Sequence, residues 1–145
     1  MTDQPDARLS SPAVFRNRGP IFDILRNVLP AQGVILELAS GSGEHINYLA
    51  ERLPALDWQP SDPSPAARAS IVAWTAADGL TNVRPPLDLD ASALPWPASA
   101  ADAFLAINML HISPWATTQG LLREAARLLP HNGLLYRTHP LKAAA

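Results

Sequence analysis

Val34-Ile35-Leu36-Glu37-Leu38-Ala39-Ser40-Gly41-Ser42-Gly43-Glu44-His45 reads as a buried strand that runs into a glycine turn and then a helix. The run from Val34 to Leu38 is almost continuously apolar, the pattern of a strand covered on both faces. Gly41 and Gly43 permit backbone angles closed to other residues, and their missing side chains let a ligand approach the main chain. A helix from about Ser42 would present free N–H groups and the positive end of its dipole to that ligand. Glu37 is the discordant member, because a carboxylate within the strand points to a partner other than a plain phosphate.

Outward from this stretch, strand and helix patterns alternate. Pro20 opens a short helix with Ile21, Ile24, Leu25 and Val28 on one face, and Pro30 follows it. After the glycine turn, Ile46, Leu49, Ala50 and Leu53 recur at three- and four-residue spacing and stop before Pro54. A second strand is expected at Leu56–Gln59, reaching its end near Ser61-Asp62. Ser64-Pro65 supplies a cap and a first-turn residue for an alanine-rich helix to about Ala77. Residues 82–89 read as a third strand that Pro85-Pro86 confines to a sheet edge, and residues 91–101 as a loop. Residues 102–110 form a strongly apolar fourth strand. Ser113-Pro114 then starts a helix with Thr117, Leu121, Leu122, Ala125, Leu128 and Leu129 on its buried side. Residues 130–133 end that helix, and Leu134–Arg137 begins a fifth strand. The alternation predicts one α/β domain over residues 1–145, with residues 1–11 flexible. Its sheet should be Rossmann-like, doubly wound and mostly parallel, with five strands in the order 3-2-1-4-5 and helices on both faces.

Composition bounds what such a domain does. At 145 residues the chain is of one-domain size and can bury about two thirds of its unfolded surface. With 48% apolar and 17% charged residues it reads as globular rather than disordered. The 11 basic and 13 acidic residues leave a net charge of −2 without a basic run, so no nucleic-acid partner is expected. Zero cysteines exclude disulfides and thiolate metal sites; no metal is expected, and a cytoplasmic setting suits the composition. Residues 1–11 lack a signal-peptide pattern, and no apolar run approaches the roughly 20 residues of a spanning helix, so no membrane partner is expected either.

In a doubly wound sheet the ligand binds beyond the carboxyl ends of the strands, where strand order reverses. The residues at those ends are Glu37 with residues 40–43, then Asp62, Asp88 and residues 108–111. A carboxylate at Asp62 can accept hydrogen bonds from both hydroxyls of a ribose. Two nucleotide-type ligands fit that clamp, a dinucleotide and S-adenosylmethionine. The dinucleotide fingerprint Gly-x-Gly-x-x-Gly or Ala needs a small residue where Ile46 stands. A pyrophosphate would also be repelled by Glu37, whereas sulfonium and ammonium groups favour a carboxylate. The pattern therefore favours the methyl donor, with a dinucleotide-dependent oxidoreductase as an alternative.

Residues 37–43, Glu-Leu-Ala-Ser-Gly-Ser-Gly, resemble the first motif of class I S-adenosylmethionine-dependent methyltransferases. More narrowly, three further segments resemble the domain-of-unknown-function (DUF) 938 family of methyltransferase-like proteins, found in bacteria and animals. They are Arg16-Asn17-Arg18-Gly19-Pro20-Ile21, Trp58-Gln59-Pro60-Ser61-Asp62 and Ile107-Asn108-Met109-Leu110-His111-Ile112-Ser113-Pro114, and the likeness spans residues 12–136. The resemblance implies a methyltransferase with S-adenosylmethionine as cofactor and an acceptor that the motifs do not specify. It implies that Gly41 and Gly43, with Ala39 and Ser40 beside them, line the methionine part of the donor, with Glu37 near its amino group. It places Asp62 on the ribose, Asp88 and Leu89 toward the adenine, and Asn108 and Met109 on the far side of the cleft. Arg16 would reach the donor carboxylate, which a guanidinium pairs bidentately. His111 is the candidate catalytic residue, and methyl transfer to a polarised acceptor often needs little beyond proximity and orientation. Asn108-Met109-Leu110-His111 stands where an Asn/Asp-Pro-Pro-aromatic arrangement would mark an adenine or glutamine substrate, so neither is expected.

Each candidate also has a plainly structural reading. Glu37 could pair with a basic neighbour, Asp62 could make an Asx turn before Pro63, and Asp88 could solvate a loop. Asn108 could form a strand-end turn, His111 could be a structural histidine, and Arg16 could be a surface residue. Of the four tryptophans, Trp58 and Trp74 read as packing residues, while Trp96 and Trp115 lie in regions expected to face the cleft. After Tyr136 the family would continue through a Gly-Pro-aromatic segment, a helix and an antiparallel strand pair. This chain instead has Arg137-Thr138-His139-Pro140-Leu141-Lys142 and three alanines. The resemblance then implies that the final strands are absent, leaving the fifth strand as an exposed edge through which self-association is expected. A donor-binding module without catalysis is the alternative reading of such a chain.

Overall fold

Side chains alternate across the strands of a parallel sheet and sort the core into two halves. The computed structural model describes residues 5–107 and 114–137. Helix α1 (Pro12–Val28) precedes strand β1 (Gly33–Leu38). The chain then passes through α2 (Glu44–Arg52), β2 (Leu56–Gln59), α3 (Pro65–Ala77), β3 (Ala103–Ala106), α4 (Pro114–Leu128) and β4 (Leu134–Arg137). All strand pairs are parallel, in the order β2-β1-β3-β4. The strand order reverses between β1 and β3, and Glu37 lies there, in register with Leu105.

On one face Ile35, Trp58, Ala103 and Leu105 pack with Ile21 and Leu25 of α1 and Ile46, Leu49 and Ala50 of α2. On the other, Leu36, Leu38 and Phe104 pack with Leu121 and Leu128 of α4 and with Leu89, Ala91 and Trp96. Glu37, two positions after Ile35, shares the α1 and α2 face. α3 starts as its sequence requires, with Ser64 accepting the Ala67 N–H at 3.2 Å and Pro65 opening the first turn.

Three expectations change. The third strand is reduced to two isolated parallel bridges, Trp58 with Val83 and Ser61 with Leu87, on the outer side of β2. Its place matches the expected edge position, but Pro85 and Pro86 have no N–H to continue the ladder, so among the described residues the sheet has four strands where five were expected. The first helix starts at Pro12 and runs through Pro20 instead of opening there. Gly19 has no Cβ to clash with the Pro20 ring, and Val14 extends the buried stripe of Ile21 and Leu25. In α4, Leu121, Glu124 and Leu128 set the buried stripe, which leaves Leu122 exposed. The 91–101 segment is a loop as expected, and Ala91, Trp96 and Ala101 within it are buried beneath α4. Asn108, Met109 and His111, and the expected extension of the fourth strand past Ile107, lie outside the described residues. Among those residues, β4 carries no strand on its outer side, and no helix is long and apolar enough to cross a membrane.

Candidate functional site

The turn from β1 to α2 passes through three left-handed residues, Ala39 (φ 51°), Gly41 (φ 60°) and Gly43 (φ 90°). Glycine adopts that region freely, while Ala39 pays about 1–2 kcal/mol for it. A Cβ on Gly43 would lie 2.9 Å from Ile71 Cγ1 and 3.0 Å from Ile71 Cα, so the start of α2 rests directly on α3. The loop is also tied to the end of β2. Ser40 N–H donates to the Ser61 carbonyl at 2.8 Å, Ser61 N–H to Ser40 Oγ at 3.1 Å, and Ser61 Oγ to the Glu37 carbonyl at 2.6 Å. Gly41 N–H donates to Asp62 Oδ2 at 3.0 Å, and Ser64 N–H to Asp62 Oδ1 at 2.9 Å.

These bonds change what the loop offers. Free N–H groups were expected there, yet those of Ser40, Gly41 and Gly43 go to Ser61, Asp62 and the Ser40 carbonyl. The Glu44 N–H goes to Ser42 Oγ at 3.3 Å. The loop therefore supplies space and a fixed shape rather than a nest of donors for an anion.

Beside it, Glu37 is 1% exposed, and neither carboxylate oxygen has a hydrogen-bond partner among the described residues. Burial pushes its carboxyl up to about 8; the nearby Ser40 hydroxyl pulls the other way and the Asp62 charge adds to the rise. Buried polar groups are ordinarily satisfied, so a carboxyl left in this state at a strand end marks a place for a ligand. A cation or hydrogen-bond donor suits it, and a phosphate does not.

The other candidates separate. Asp62 is buried at the loop, where it accepts the Gly41 N–H, and it also makes the Asx turn with the Ser64 N–H. Asp88 is turned to solvent, its carboxylate 3.2 Å from the Arg68 guanidinium. Leu89 buries its side chain in the core with Leu36 and Leu38, which leaves only its main chain for such a role. Arg16 is exposed on α1, and the guanidinium brought to Glu44 and Tyr48 is that of Arg18. Trp96 packs on Phe104 at 5.5 Å and donates its indole N–H to the Ala91 carbonyl, so it does not line a cleft, while Trp115 is exposed on α4. Ser61, Ser70 and Glu44 support the loop and were not among the sequence candidates. Ser61 had a signal, a small polar residue directly before the acid that closes β2. Among the described residues no cluster of three or more histidine or acidic side chains could hold a metal.

Solved structures share this fold. PH0226 from Pyrococcus horikoshii superposes with a TM-score of 0.72 at 18% identity, over 94% of this chain and 64% of its own. Coclaurine N-methyltransferase bound to N-methylheliamine and SAH gives a TM-score of 0.71 at 19% identity, over 90% of this chain and 38% of its own. The plantazolicin methyltransferase BpumL in complex with SAH gives 0.62 at 17%, over 86% and 46%. The fold is thus the Rossmann-like α/β fold of methyltransferases, and the chain spans between 38% and 64% of the length of these structures. The family described as a protein of unknown function, DUF938, matches residues 8–144, a span that holds the glycine loop and every strand end around it, and the chain belongs to that family.

Proposed function

We propose that this chain binds S-adenosylmethionine at the carboxyl ends of β1 and β2 and acts as a methyltransferase. The observation that carries the reading is the buried Glu37 carboxyl without a hydrogen-bond partner among the described residues, beside a loop in which the N–H groups of Ser40, Gly41 and Gly43 are already engaged. That pairing suits an amino-acid ammonium and disfavours the pyrophosphate of a dinucleotide. Two of the similar structures hold SAH, which supports the same ligand class here.

The residues present fit such a donor. Glu37 would take its ammonium group, and the left-handed turn at Gly41 and Gly43 would bring the main chain alongside its methionine part. Each Asp62 oxygen accepts one main-chain N–H and keeps a second acceptor site, enough for the two ribose hydroxyls. Asn108 and Met109 would close the far side of the cleft, and His111 would be the candidate base. When bound, the donor supplies an activated methyl group for transfer to a nucleophile.

Calorimetric titration of S-adenosylmethionine and of SAH into the wild type and an Asp62→Ala variant tests the reading. Binding to the wild type and at least tenfold weaker binding to the variant are expected. No binding of either compound to the wild type overturns it. Binding with no methyl transfer to any acceptor replaces the transferase by a donor-binding module. A nicotinamide dinucleotide that raises Tm where the donor does not would point to an oxidoreductase.

A further inference from the structure

The glycine loop is fastened from a second side, by residues that the donor reading does not use. Ser70 of α3 is fully buried; its hydroxyl donates to the Ser42 carbonyl at 2.6 Å and accepts the Leu9 N–H at 2.8 Å. Oε1 of Glu44 accepts the Ser42 hydroxyl at 2.9 Å and the Ser11 N–H at 2.7 Å. Trp74 of α3 donates its indole N–H to the Leu9 carbonyl at 2.8 Å, and the Arg8 guanidinium lies 5.1 Å from the centre of its ring. Residues 8–11, directly ahead of α1, are thus pinned to α3 and α2, and a single side chain, Ser70 or Glu44, links them to Ser42 through two hydrogen bonds.

Ser42 sits between Gly41 and Gly43, whose backbones have little conformational preference of their own. Held by its carbonyl and its hydroxyl together, Ser42 cannot rotate without breaking contact with α3 or Glu44. We propose that residues 8–11 form a strap that sets the glycine loop in its donor-binding shape, with Ser70 and Glu44 as the positioning residues that connect the two. This inference rests on the donor site proposed above. Residues 8–10 are exposed, so the strap is a unit of low local stability whose release costs the fold little while it loosens the hold of Ser70 and Glu44 on Ser42. A loop that is competent for only part of the time weakens apparent affinity by that fraction.

Two variants in the full chain test it. Trp74→Phe removes the indole N–H that holds Leu9 and touches no part of the donor site; Ser70→Ala removes the link itself. Expected are SAH affinities weaker by about five- to tenfold, with faster amide hydrogen exchange at Gly41 and Gly43 measured without ligand. Thermal unfolding separates this from a merely structural role, which would lower Tm and leave the affinity unchanged. A wild type that binds SAH while both variants match its affinity overturns the strap alone. A wild type that binds no SAH overturns the donor reading and the strap with it.

Discussion

The Asp62 carboxylate accepts the Gly41 main-chain N–H at 3.0 Å, which makes the end of β2 part of the loop that follows β1. Its other oxygen holds the Ser64 N–H, so Asp62→Ala leaves two main-chain donors without their acceptor. The expected cost is about 1–3 kcal/mol, or roughly 3–10 °C in Tm for a chain of this size. Differential scanning calorimetry measures it. Asp62→Asn, which keeps an acceptor oxygen, should recover part of the loss, and an unchanged Tm in Asp62→Ala would contradict this assignment.

Gly43→Ala meets two obstacles at once, a φ of 90° and the Ile71 side chain at 2.9 Å. A loss of roughly 2–3 kcal/mol is expected from denaturant unfolding. Trimming Ile71 should not rescue it, since the Ile71 Cα is itself 3.0 Å from the new methyl.

Asp88→Ala should leave SAH affinity within about twofold of the wild type, in contrast to Asp62→Ala. The Asp88 carboxylate is largely exposed and engaged with Arg68. A tenfold loss would return Asp88 to the ligand.

Stability should vary with pH through two buried groups of opposite sign. The Glu37 carboxyl is raised from 4.5 to about 8, so its contribution is complete below pH 4.5 and is lost as pH rises toward 8. His45 is lowered from 6.5 to about 4, chiefly by burial, with Glu44 opposing and Arg18 adding; its contribution is lost as pH falls below 6.5. The two nearly cancel between pH 4.5 and 6.5. From pH 6.5 to 8 Glu37 acts alone, and unfolding free energy should fall by roughly 1.4 kcal/mol per pH unit. Urea titrations across that window should show the decline in the wild type and none in Glu37→Gln.

Much of the fold was legible because local chemistry and tertiary packing agree. The apolar run of β1, the Ser64-Pro65 cap of α3 and the proline pair beside β2 each carry their structural meaning in a few adjacent residues. The phase of α4 was hidden because Leu121 and Leu122 are adjacent; Leu121 packs with Leu128 on the sheet, and the stripe between them carries Glu124, a buried carboxylate paired with Arg127. The start of α1 was hidden because Pro20 is an ordinary helix opener, and only Gly19 before it lets the helix continue.

At the site, Glu37, Gly41, Gly43 and Asp62 stood out because their residue types are unusual for their positions. Asp88 looked equivalent to Asp62 along the chain, and they are separated by tertiary contacts: Asp62 is buried on the Gly41 N–H, while Asp88 is exposed beside Arg68. Ser70 and Glu44 carried no local signal, since their partners Leu9 and Ser11 come from a segment far away in sequence.

The most direct measurement is isothermal titration of SAH into the wild type at pH 7, in two buffers of different ionisation enthalpy. Glu37 is mostly protonated at that pH and becomes a carboxylate beside the ligand's ammonium group. Saturable binding with release of about one proton per site is the expected result. No binding, or binding without proton release, would contradict the placement of the donor at Glu37.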